Sequence, residues 1–275
     1  VSDRPTDPYE PLLRVALEAA AAAVALVHDG RPEVLEVTAK SSSTDLVTQM
    51  DRAAEALIRE VIASSRPDDV VVGEEMGEVS GHAAPGEGAV TWWVDPIDGT
   101  TNYVYDHPGW NVSIAAAIDG TVVAGVVADP THGRTYHATL GGGAVCDDRT
   151  APLRLADPPP VDRALVATGF GYDRDQRHRQ GLVAAELLPR VRDIRRMGAA
   201  ALDLCSVAAG RVDVFYEAGL STWDYAAGAL IAQEAGAHVG SLDGGAVRPG
   251  SVLAAHPALF EPFVALLAEL GAAGS

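Results

Sequence analysis

An apolar run at residues 89–94 breaks off at Asp95-Pro96-Ile97-Asp98-Gly99-Thr100-Thr101, and this junction constrains the chain more than any other stretch. Six apolar or β-branched residues followed by turn formers read as a buried strand and its end. Pro96 fixes its own φ and biases Asp95 away from the helical region, so the strand ends in a stiffened turn. That turn presents two carboxylates and an expected exposed carbonyl at Ile97, a hard-oxygen set suited to Mg²⁺. If Gly99-Thr100-Thr101 opens a helix, its free backbone N–H groups can cradle a phosphate. Pro/Asp/Gly turns are also ordinary loops, so the motif by itself leaves both readings open.

Charge narrows the partners. The 275 residues carry 38 acidic against 20 basic side chains, a formal net charge of -18. A field of that sign disfavours nucleic acid and anionic membranes as partners. A phosphate can bind only where a local cation inverts the potential. Cys146 and Cys205 form no CxxC pair, so no disulfide framework or zinc ribbon is expected. The run 15–27 is interrupted by Glu18 and reads as too short to span a bilayer, and residues 1–10 lack the basic start of a secretory signal. A cytoplasmic location is the expectation.

Helical spacing predicts helices at about 8–28 and 48–63, and β-branched runs between 112 and 137, broken by Asp119-Gly120 and Asp129-Pro130, predict antiparallel strands. Asp157-Pro158-Pro159-Pro160 is the best joint. It divides the chain into an expected α+β metal-binding subdomain at 1–155 and an α/β subdomain at 156–275. In the second, strands at 165–168 and 212–216 alternate with helices at 199–209, 222–235 and 257–270. The fold class is mixed α/β.

Further acids stand at helix starts or strand ends. Glu74-Glu75 follows Gly73 after the strand-like 70–72, and alone reads as a solvated loop. Asp224 lies three residues after Ser221, and Asp51 three after Thr48. Both spacings scan as helix caps with an acid in the first turn. A capping role and a ligand role are compatible, because a helix N-terminus holds a carboxylate rigidly.

Taken together, Lys40-Ser41-Ser42, Asp45-Leu46-Val47-Thr48, Asp51, Gly73-Glu74-Glu75, the run from Trp93 through Asn102, Gly198-Ala199-Ala200-Ala201-Leu202-Asp203-Leu204-Cys205, Tyr216-Glu217-Ala218-Gly219 and Trp223-Asp224 resemble the inositol monophosphatase family, within the superfamily that includes fructose-1,6-bisphosphatases. The resemblance implies a layered αβαβα sandwich, a homodimer and an Mg²⁺-dependent phosphomonoesterase that transfers phosphate directly to water. It implies that Glu74, Asp95 and the Ile97 carbonyl hold one Mg²⁺, that Asp95, Asp98 and Asp224 hold a second, and that Glu74 helps with a weaker third. Asp51 and Thr100 would activate the water, with Glu74 counted among the catalytic groups. Gly99 and Thr100 N–H groups would bind phosphate alongside Asp98 and Asp224, while Gly198, Ala199 and Glu217 would face the alcohol. Four ligand carboxylates repel a phosphate dianion, and two Mg²⁺ ions reverse that sign. Inhibition by Li⁺ is a further expectation of the family. Position 199 is alanine where many relatives carry Ser or Thr, and Tyr103 replaces a common Phe, which on sequence grounds matters little.

Rival readings are weaker. The haloacid-dehalogenase DxDGT motif needs an Asp where Pro96 stands. Neither a GxSxG elbow nor an HExxH is present. The alternatives kept open are histidinol phosphate, fructose-1,6-bisphosphate or a nucleotide 3′,5′-bisphosphate as substrate in place of myo-inositol monophosphate. In another class stands a regulatory binding protein on the same fold, which the loss of a ligand position would favour; every position is filled.

Overall fold

The computed structural model describes residues 7–79 and 88–272. Helix α1 (Glu10–Val24) continues into a π-helical turn (Ala25–Asp29) and is followed by β1 (Val37–Ala39), β2 (Leu46–Thr48) and α2 (Gln49–Ser65). Next come β3 (Val70–Gly73), β4 (Gly77–Val79), β5 (Val90–Asp98), the short α3 (Thr100–Val104), β6 (Asn111–Ile118), β7 (Thr121–Asp129), β8 (Arg134–Thr139) and β9 (Gly143–Cys146). After the proline-rich stretch the chain forms β10 (Leu165–Thr168), α4 (Arg174–Leu187), β11 (Asp193–Arg195), α5 (Ala200–Ala208), β12 (Val214–Ala218), α6 (Thr222–Glu234), β13 (His238–Gly240), β14 (Ser251–Ala255) and α7 (Pro257–Glu269).

Two sheets organise these elements. The first runs β4-β3-β5-β6-β7-β8-β9 and the second β11-β10-β12-β14-β13. In the first sheet only β3 and β5 pair in parallel; in the second, β10 is parallel to β11 and β12. Strand β6 is buried on both faces: Val112, Ile114 and Ala116 join the core under α1 and α2, while Ala115 joins the core under α5 and α6. The second sheet alternates likewise. Val166, Val214 and Leu253 face α4 and α7, and Ala167, Phe215 and Ala254 face α5 and α6. The layers are therefore α1/α2, seven strands, α5/α6, five strands and α4/α7, an αβαβα sandwich. Helix α6 lies in the middle, and its residues Tyr225 through Ala232 are all buried, as a helix apolar on every side requires.

Several expectations change. Strand β5 does not stop at Asp95 but runs on to Asp98, which pairs with Asn111 after a register shift. Pro96, with no N–H to give, sits in that irregularity, where a ladder tolerates it. The first helix with its π turn is 20 residues long with mean hydropathy 1.5, long and apolar enough by those measures to cross a bilayer, contrary to the reading of 15–27 as too short. It serves here as a core helix, with Ala16, Ala19, Ala23 and Val27 fully buried. Helix α4 escaped the sequence reading because Arg174-Asp175-Gln176-Arg177-His178-Arg179 shows no apolar period. Asp173 starts it, its carboxylate accepting from Gln176 N at 2.8 Å.

Candidate active site

Two helix caps and one strand end deliver the acids. At the start of α2, Asp51 Oδ2 accepts from Thr48 N at 2.8 Å and from Thr48 Oγ1 at 2.5 Å, while Thr48 Oγ1 accepts from Met50 N at 3.0 Å. Asp224 closes the start of α6 in the same way, accepting from Ser221 N at 2.6 Å. Both caps thus lock a carboxylate by bonds within four residues of sequence.

The strand end is locked from further away. Asp98 Oδ2 accepts from Asn111 Nδ2 at 2.8 Å and from Ala201 N, in the first turn of α5, at 2.9 Å. Asp98 therefore sits at the positive end of a helix. Asp95 Oδ1 accepts from Ile97 N at 3.0 Å. Ile97 is a buried residue that lines the cavity; its carbonyl lies 3.1 Å from Thr100 Oγ1. The same hydroxyl lies 3.1 Å from Asp51 Oδ1, so its single proton serves one oxygen or the other. Gly99 has φ +88°, and a Cβ there would lie 3.0 Å from the Gly109 carbonyl and 3.1 Å from that of Gly198. Both conformation and space demand glycine.

These groups share a cavity of about 410 Å³. Glu74, Asp95, Ile97, Asp98 and Asp224 line it together with Gly99, Thr100, Gly198 and Glu217. Asp51 is fully buried behind Thr100. Ala199 is the exception. It is 2% exposed and packs its Cβ toward Gly99, and Ala200 lines the cavity in its place. Ala199, at the N-cap of α5, belongs to the apolar core that α5 and α6 share with the first sheet. The buried Tyr103 hydroxyl donates to the Val27 carbonyl at 2.8 Å, tying the motif to the π-helical turn after α1.

Sequence reasoning passed over Phe170, Tyr172, Gln176 and Arg196 on the cavity wall. Only Arg196, beside the Gly198 segment, carried any signal. Lys40, quoted only as part of a motif, donates from Nζ to Glu74 at 2.9 Å and to Glu75. Burial opposes its charge, but the two carboxylates outweigh that and keep it protonated.

Electrostatics single out the cavity. Burial, compounded by Glu74, Asp98 and Asp224, pushes Asp95 well above the usual carboxylate range. Burial and then Asp98 do the same to Asp224. Burial brings Asp98 up to about 7 against the pull of its Asn111 and Ala201 donors. Four carboxylates and a carbonyl crowd one space, with Lys40 paired to Glu74 and Arg196 on the wall, and a hard divalent cation fits that donor set. Among the described residues no three such side chains are closed into a finished ligand cage. Glu74, Asp95, Asp98 and Asp224 nonetheless line a common cavity.

Comparison with known proteins agrees with this geometry. The model of the inositol monophosphatase family matches residues 8–272. The inositol-1-monophosphatase SuhB of Mycobacterium tuberculosis is 45% identical over 248 residues, 86% of this chain and 86% of that protein. The Nus factor SuhB of Escherichia coli is 38% identical over 260 residues, 93% of this chain and 95% of that protein. The crystal structure of the extragenic suppressor protein suhB from Bartonella henselae superimposes with a TM-score of 0.85 at 34% identity, covering 94% of this chain and 98% of that one. The chain belongs to the inositol monophosphatase family, whose members are metal-dependent phosphatases acting on small phosphorylated compounds.

Proposed function

We propose that the protein is an Mg²⁺-dependent phosphomonoesterase that hydrolyses a small phosphorylated polyol, myo-inositol monophosphate first among them, by direct attack of water. The observation that carries this reading is the joining, in one cavity, of the four carboxylates with the buried Thr100–Asp51 hydrogen bond. Glu74, Asp95 and the Ile97 carbonyl would hold one ion. Asp95, Asp98 and Asp224 would hold a second, and Glu74 would contribute to a weaker third. Bound there, Mg²⁺ supplies the positive charge that phosphate needs and acidifies the attacking water.

The remaining work falls to the chain. Thr100 Oγ1, 3.1 Å from Asp51 Oδ1, orients the water, and the buried Asp51 receives its proton. Asp51 is suited to this because burial, the foremost influence on it, raises its affinity for protons against the pull of Thr48. Backbone N–H groups of Gly99 and Thr100 hold phosphate oxygens. Glu217 and Gly198 face the leaving alcohol, where a carboxylate accepts hydrogen bonds from hydroxyls. Family likeness carries the proposal of a homodimer, which light scattering measures directly.

Phosphate release from myo-inositol monophosphate, histidinol phosphate, fructose-1,6-bisphosphate and a nucleotide 3′,5′-bisphosphate, with Mg²⁺ and with chelator, tests the reading. Mg²⁺-dependent release, greatest for the inositol ester, is the expected result. Release that persists in chelator overturns the metal assignment, and preference for another ester overturns the substrate. Li⁺ should inhibit uncompetitively through the Asp224 position, where Na⁺ at equal ionic strength does not.

A further inference from the structure

Glu55 is a fully buried acid outside the cavity. It lies on α2 four residues after Asp51 and four before Arg59, so the three share one helix face. Arg59 donates to Glu55 Oε1 from Nε at 2.9 Å and from Nη2 at 2.7 Å. The same carboxylate takes two backbone donors from the turn joining β3 to β4, Glu75 N at 2.7 Å and Met76 N at 3.2 Å. Arg59 grips the strands on either side of that turn, donating to the Val71 carbonyl at 2.9 Å and the Gly77 carbonyl at 2.6 Å. The approach is so close that a Cβ on Gly73 would lie 2.3 Å from Glu55 Oε1, which explains the glycine ahead of Glu74-Glu75.

The turn held in this way is the one that carries Glu74 into the cavity. Packing alone would not need a buried charge here, since an apolar side chain fills space without desolvating a carboxylate. The ion pair provides direction instead, because its donors and acceptors fix the backbone at four points. We infer that Glu55, with Arg59, is a positioning residue that sets the distance between Glu74 and Asp51, joining the turn to the helix that carries Asp51. This rests on the reading of Glu74 as a metal ligand. Hydrogen bonds behind the ligands then tune metal affinity as they do at other metal sites.

The test uses the full chain with Mn²⁺ as probe. E55Q keeps the shape but removes the charge, and R59K keeps the charge but removes the fork, so each guards against misfolding of the other. In calorimetric titration both variants should bind Mn²⁺ about tenfold more weakly, while kcat at saturating metal changes far less. In the metal-free protein, hydrogen exchange at the Glu75 and Met76 amides should speed up. Wild-type Mn²⁺ affinity in both variants, with only Tm lowered, would overturn the proposal and leave Glu55 a purely structural residue. E74Q is measured beside them. If E74Q binds Mn²⁺ as the wild type does, the ligand reading of Glu74 has failed, and the proposal falls for that reason. Unchanged exchange at Glu75 and Met76 instead shows that the clamp itself is absent.

Discussion

The two walls of the cavity are held to different degrees. On the wall built from α2, β5 and α3, the acids are already engaged: Asp51 Oδ2 takes two donors from Thr48, and Asp98 Oδ2 takes one from Asn111 and one from α5. On the wall built from β12 and α5, Glu217 lines the cavity, and Asp203 stands near it off the lining. Asp203 is 1% exposed, and neither of its carboxylate oxygens has a hydrogen-bond partner among the described residues. Burial, then Asp203 and Asp98, push Glu217 up to about 8. A preorganised wall suits a chemical step whose charges are always in the same place. An under-satisfied wall keeps its hydrogen-bonding capacity for a ligand. The proposed function accordingly gives proton transfer to the first wall and recognition of the alcohol to the second.

That contrast breaks most visibly at the ligands. Asp98→Asn and Asp224→Asn keep side-chain size and remove charge, and activity should fall about 10³-fold or more, beyond what loss of one preorganised contact does. The Mg²⁺ requirement should rise with it, read by steady-state kinetics across a metal titration. Near wild-type turnover in either variant at ordinary Mg²⁺ rules out the metal assignment. Next comes Asp51→Asn, expected to lower kcat by about 10²–10⁴-fold, the span of a lost general base, with Mn²⁺ affinity nearly unchanged. Were Asp51 only a cap, the variant would instead lose thermal stability and keep its activity.

Glu217→Gln probes the opposite wall. It should change kcat/KM by roughly tenfold, the scale of one hydrogen bond to substrate, and by unequal factors for inositol and histidinol esters, with metal affinity intact. An equal loss for every ester would move Glu217 from selectivity to general chemistry and erase the contrast. The smallest effect is expected at Tyr103→Phe. Loss of its bond to the Val27 carbonyl should cost about 1 kcal/mol, measured by denaturant unfolding, with kinetics unchanged. Unchanged stability would make the hydroxyl incidental.

Local patterns were the legible part. Thr48 with Asp51 and Ser221 with Asp224 are three-residue spacings, and both form the caps that their spacing predicts. The helix opening after Gly99 follows from restrictions on φ within the same few residues, whereas Pro96 did not end the strand, and β5 runs through it to Asp98. Helix α4 was not legible, because its start depends on Asp173 and its long polar stretch carries no period.

The sequence by itself therefore determined which acids stand at helix starts and near the end of β5, since caps and turn-forming glycines act within three or four residues. Tertiary structure alone decided what those ends face. Ala201 reaches Asp98 across 103 positions and Thr100 reaches Asp51 across 49, and nothing in either local pattern encodes the other. The inward turn of Ala199, the Tyr103–Val27 bond and the grip of Glu55 on the Glu74 turn were settled the same way. Each depends on how helices stack against a sheet, and that packing is fixed by the burial of many residues at once rather than by any short stretch of chain.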